Sequence, residues 1–213
     1  MPRTADHDAR RRQIAAAVVG VVAADGFDAA TVARVAAEAG VSVGLVQHYF
    51  ASKDELLLFA YQQVTGDIGD RVAQLIADGD ARRQPISVVV AASLAELLPL
   101  DERRRGEYRV ARAFLGRALD NPSLASVARA TAADLRGRLS AAVTNGKECG
   151  EVAPGVDAEL AATRLAALVD GLGDQLYLEP QRRVGSRDLP AVARRTLGEA
   201  LAETFTGECR HYR

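Results

Sequence analysis

Gln47, His48 and Tyr49 stand in a row within VSVGLVQHYFASKDEL, residues 41–56, and Lys53 follows four positions after the tyrosine. Side chains of these types recognise nucleic acid. Gln47 can bond adenine with both ends of its amide, or make a single contact elsewhere, and Val43 can touch a thymine methyl. Gly44 lets backbone come close to a base edge. His48, Tyr49 and Lys53 suit phosphate oxygens, two as polar-tipped rings and one as a cation. Thr31, eleven residues before Ser42, can set its hydroxyl and the amides of a helix start against another phosphate.

These residues need two short helices to hold them. Thr31 can cap VARVAAEA, which ends at Gly40, and Ser42 can cap a helix towards Phe50. Only about AGVS separates the two, the spacing of a helix-turn-helix. Ala36 is small where such helices cross, Gly40 supplies a positive φ, and Val35 and Val46 are apolar where the pair meets a preceding helix over Gln13–Ala24. With Val46 and Phe50 inward at i and i+4, Ser42, Val43, Gly44, Gln47, His48 and Tyr49 fall on the outward faces. Ser52 and Glu55 form a capping box that opens a helix to about Asp78, weakened by Gly66 and Gly69. The Arg10-Arg11-Arg12 run before the first helix is either a solvated face or a source of minor-groove and phosphate attraction.

Composition sets the class. In 213 residues, 48% are hydrophobic and only 5% aromatic, and proline is confined to a few apparent boundaries, so the expected fold is all-α with about ten helices. The net charge of −1 excludes a chain-wide basic coating, so any DNA contact must be local. No apolar run approaches the roughly 18 residues of a membrane span, and a cytoplasmic protein without a membrane partner is expected. Cys149 and Cys209 form no disulfide framework or CxxC metal pattern and read as structural thiols. His7, His48 and His211 lie scattered, and no Gly-rich phosphate loop, HExxH spacing or partnered nucleophile is present. We therefore expect no catalytic residues, no metal and no cofactor.

FDAATVARVAAEAGVSVGLVQHYFASKDELL resembles the DNA-binding domain of the TetR family of transcriptional regulators, whose pattern runs close to V-S-x-G-x-L-Y-x-Y/H-F-x-S/N-K-x-x-L, and the likeness spans about residues 10–58. This chain has Val46 and Gln47 in place of Leu-Tyr, so the contact usually made by that tyrosine passes to Gln47. LLPLDERRRGEYRVARAFLGRAL and AALVDGLGDQLYL are similar to the C-terminal domain of the BetI-type subgroup.

The resemblance implies an N-terminal three-helix helix-turn-helix domain over 1–56 and a C-terminal helical domain for ligand binding and dimerisation over 57–213. It also implies a homodimer on a palindromic double-stranded operator, released by a small-molecule effector of unknown identity. Phe114, beside an apolar stripe, is then either a pocket wall or a core aromatic, and Asp170 either faces a ligand or is an ordinary exposed or paired carboxylate. Leu165, Leu168, Leu172 and Leu176 recur at three or four residues and form a seam that can pair with its symmetry mate. The rival reading is a dimeric small-molecule-binding protein without DNA affinity.

Overall fold

Local capping chemistry explains most of the element starts. The computed structural model describes residues 3–210, apart from the side chains of residues 3–6 and 8; His211 lies outside the described residues. The chain runs α1 (Arg3–Asp25), α2 (Val32–Ala39), α3 (Val43–Tyr49), α4 (Lys53–Ala81), α5 (Ile86–Ala95), α6 (Glu102–Ala118), α7 (Pro122–Cys149), α8 (Ala158–Leu178), β1 (Arg183–Val184), β2 (Arg187–Asp188) and α9 (Leu189–Thr204). The fold is all-α. Among the described residues there are nine helices rather than about ten, and the polar loop after α8 closes as an antiparallel hairpin pairing Arg183 with Asp188 and Val184 with Arg187.

Two helix limits differ from the sequence reading for physical reasons. α1 begins at Arg3 rather than Gln13, so Arg10, Arg11 and Arg12 are helical residues and not an arm preceding the helix. α7 passes through Asn145-Gly146 and stops at Cys149, where Gly150 takes a φ of 96°. Gly146 is needed for space instead: a Cβ there would lie 2.6 Å from Val152 Cγ2.

By contact the chain forms two units. One contains residues up to Gly69 together with Asp101–Ala128, and the other Asp70–Leu100 together with Arg129 onward. The sequence divides the chain after residue 56, but α6 packs on α1 and belongs to the first unit. Gly106 allows that crossing, since a Cβ on it would lie 2.9 Å from Ala23 Cβ. Arg109 of α6 donates from Nη1 to the carbonyls of Ala23 and Ala24, both at 2.9 Å, and so satisfies the free end of α1.

The first unit buries Ile14, Val18 and Val22 of α1 with Val35, Val46, Phe50 and Val110. Beside them, Leu57, Tyr61, Phe114 and Leu124 form an adjoining cluster. The second unit buries one face of α8 with Leu94, Leu98, Leu189, Leu197 and Leu201. There the Cys149 thiol is pushed up to about 11, chiefly by burial, and stays protonated at neutral pH.

Candidate nucleic-acid interface

Helices α2 and α3 are fixed by their own ends. The Thr31 hydroxyl accepts from Arg34 N–H at 3.2 Å, and the Ser42 hydroxyl accepts from Leu45 N–H at 3.1 Å. Each hydroxyl keeps its proton for an outside acceptor. Gly40 adopts φ 64°, ψ 35°, and Val41 N–H donates to the Ala36 carbonyl at 2.9 Å, so the chain reverses within three residues. Val35, Ala36 and Val46 are buried under this turn, as their sizes and spacing require.

The opposite face of α3 is open. Ser42, Gly44, Gln47 and His48 are exposed, and Val43 is 43% exposed while remaining apolar. A Cβ on Gly44 would have no atom within 4 Å. Tyr49 is half-buried, its ring edge-on to His48 at 5.4 Å and to His7 at 4.6 Å between centroids. The three rings form one aromatic edge beside α3, which adds His7 of α1 to the residues picked out by sequence. Its signal is long-range and lay outside the motif.

Lys53 also has partners within the chain. Its ammonium donates to the Asp28 carbonyl at 3.2 Å and lies 4.3 Å from the Phe27 ring centroid, steadying the loop before α2. The three arginines of α1 also part company. Arg10 donates to Gln13 Oε1 at 2.9 Å, and Gln13 in turn donates to the Ala39 carbonyl at 2.7 Å, tying α1 to the end of α2. Arg11 turns onto the rings of Phe59 and Phe50, 4.6 and 5.4 Å from their centroids, and its Nε is buried without a hydrogen-bond partner among the described residues. Arg12 is exposed.

The start of α4 is anchored by a charge cluster. Ser52 Oγ accepts from Glu55 N–H at 3.1 Å, while the Glu55 carboxylate accepts from Ala51 N–H at 2.8 Å. Asp54 takes Arg117 Nε at 2.8 Å and Asn121 Nδ2 at 3.0 Å, and Asn121 Oδ1 caps α7. The Arg117 hydrogen bond, with Asn121 assisting, holds the Asp54 carboxyl below its ordinary range against a smaller opposing effect of burial.

The residues expected at the effector site and the dimer seam take the following places. Phe114 is fully buried in the first unit, stacked on Tyr61 with centroids 3.9 Å apart, and so is a core aromatic. Asp170 is exposed on α8. Leu165, Leu172 and Leu176 are buried in the second unit's own core and Leu168 packs partly against it. A three- or four-residue stripe shows that something covers a helix, and here the cover is the same chain. Beside this face α8 meets α9 at a groove of about 450 Å³ lined by Arg164, Leu165, Leu168, Thr196, Glu199 and Glu203, among others.

Comparison with known proteins agrees with this arrangement. Residues 14–59 match the bacterial regulatory proteins of the tetR family, and residues 89–202 match the C-terminal domain of the BetI-type transcriptional repressor. The transcriptional regulator PksA of Bacillus subtilis is 31% identical over 182 residues, 85% of each chain. A transcriptional regulator from Rhodococcus sp. Rha1, solved as a crystal structure, superposes with a TM-score of 0.77 at 32% identity over 92% of this chain and 96% of its own. A regulator from Saccharomonospora viridis, solved in complex with choline, shares the fold with a TM-score of 0.73 at 24% identity, over 91% and 95%. The relatives are regulators rather than enzymes, and with a helix-turn-helix reader and a BetI-type C-terminal region this chain belongs to the TetR family of transcriptional regulators.

Proposed function

We propose that the protein is a repressor that binds a palindromic operator as a homodimer and is released by a small-molecule effector. One observation carries the DNA reading: Ser42, Val43, Gly44, Gln47 and His48 form a single open face over a buried Val46. Set into a major groove, this face puts Gln47 and Val43 on base edges. Tyr49, His48 and the hydroxyl of Thr31 reach for flanking phosphates, and Lys53 orders the adjacent loop and adds its charge nearby. Two copies of α3 on a dyad fit successive grooves when about 34–36 Å apart.

The dimer reading rests on the outer face of α8. Leu160 and Leu178 are 58% and 75% exposed at its ends, with Ala167 and Gly171 between them. The spacing 160, 164, 167, 171, 178 follows a heptad seam, and its small residues let a second helix approach. This face and the neighbouring groove against α9, which Leu165 and Leu168 of the leucine seam help to line, accept the partner copy.

Release by an effector is supported by the BetI-type match and by a regulator of the same fold that holds choline. Helix α4 contains residues of both units, so an effector that favours a displaced α4 weakens DNA binding, and DNA weakens that effector equally. The test is binding of the purified protein to DNA flanking its own coding region and to a random palindromic library, with Gln47→Ala and Tyr49→Phe beside the wild type. Tight binding that both variants weaken supports the repressor; no binding to either DNA moves the protein to a ligand-binding dimer without DNA affinity.

A further inference from the structure

Three donor side chains of the second unit meet where the segment after α9 folds back on α7. The Sγ atoms of Cys149 and Cys209 and a carboxylate oxygen of Glu151 all lie within 4.8 Å of one another. Two glycines make the meeting possible. At Gly150, with φ 96°, a Cβ would lie 2.7 Å from Arg210 Nε, and a Cβ on Gly207 would collide with the Gly150 carbonyl oxygen. Gly207 N–H donates to the Glu151 carbonyl at 2.9 Å, which fixes the returning segment two residues before Cys209.

Glu151 is 1% exposed, and its carboxylate cannot swing. Its oxygens accept from Ile86 N–H at 2.9 Å and Ser87 N–H at 3.2 Å, the amides at the start of α5, whose preceding Pro85 has no capping side chain. Oε1 stands 3.6 Å from Cys149 Sγ. In a tetrahedral zinc site with bonds of about 2.3 Å to sulfur and about 2.0–2.2 Å to oxygen, the sulfur-to-oxygen edge is also about 3.6 Å.

We infer that Cys149, Glu151 and Cys209 form a binding site for a borderline-soft divalent cation of the zinc type, with water in the fourth position. Two thiols and one carboxylate suit such an ion and not magnesium or calcium, which take all-oxygen sets. A disulfide between the sulfurs makes no use of a carboxylate fixed beside one of them. On binding, both thiols lose their protons to solvent, since a divalent cation among them outweighs the low polarity of the site. Two thiolates, one carboxylate and one dication leave a single negative charge, and the Arg210 guanidinium packed on Gly150 lies on the chain segment that would carry it. The ion would fasten the final segment to the end of α7 and the start of α5.

The experiment uses the full chain, stripped with a chelator and kept reduced with a phosphine. Zinc is titrated against a chromophoric chelator, and cadmium is followed by its thiolate charge-transfer absorption. The expected results are one equivalent bound, two protons released, a cadmium band and a higher unfolding temperature with zinc. Cys209→Ser, at a half-exposed position, keeps its helical circular dichroism but loses roughly tenfold or more in zinc affinity and part of the band, while Glu151→Gln loses affinity and keeps the band. Zinc uptake no tighter than in the Cys149→Ser/Cys209→Ser double variant overturns the site. So does a protein whose sulfurs join as a disulfide in air and which takes up no zinc once reduced.

Discussion

A methyl group on Gly44 would have open space on every side, and the residue lies within α3 without a positive φ. Folding therefore gives no reason for glycine at this position. Gly44→Ala should raise stability by about 0.5–1 kcal/mol in thermal unfolding while lowering operator affinity, because the new Cβ stands between backbone and bases. Unchanged affinity would mean that the α3 backbone does not approach DNA closely. Gln47→Ala should leave the melting temperature alone and relax selectivity at one base pair by about 1–3 kcal/mol, read from binding to single-substitution operators. At this scale the sequence was readable where contacts are local: the Thr31 and Ser42 caps, the turn at Gly40, and Val46 beneath the outward face. Lys53 on Phe27, and Cys209 beside the neighbouring Cys149 and Glu151, depend on approaches that no local spacing encodes.

Among the elements, α3 is only seven residues long and cannot hold itself in place; the start of α4, which follows it after Phe50, must do so. Asp54 is the fastening there. Its folded-state carboxyl is held below the ordinary value, so the stability it gives is fully present above that value and is lost as pH falls through the depressed one. The stability gap between wild type and Asp54→Asn should stay constant from pH 7 to about 5 and close below about pH 4 in denaturant titrations. A gap unchanged in acid would show that Asp54 acts without its charge. Helix starts were legible because a cap lies next to what it caps. The C-terminal limit of α7 was not, since Gly146 reads as a stop signal while serving the close packing of Val152.

Across the whole molecule, the sequence boundary after residue 56 follows the reading motif, whereas contacts gather α6 into the first unit through Arg109 and Gly106. Hydrophobic periodicity found the covered face of α8 but could not say that its cover is intramolecular. Its outer face makes the proposed dimer testable: Ala167→Arg should leave helix content intact, yield monomers in sedimentation, and weaken binding to the proposed palindromic operator, since one reading helix alone spans half of such a site. The inward turn of Arg11 has a further consequence in the ion atmosphere of DNA. Each phosphate a protein neutralises releases condensed counterions and adds about −0.9 to the slope of log affinity against log salt. A guanidinium lying on Phe50 and Phe59 releases none, so Arg11→Ala should lower thermal stability and leave that slope unchanged, whereas Arg12→Ala should flatten it. Of two adjacent arginines, only one belongs to the electrolyte.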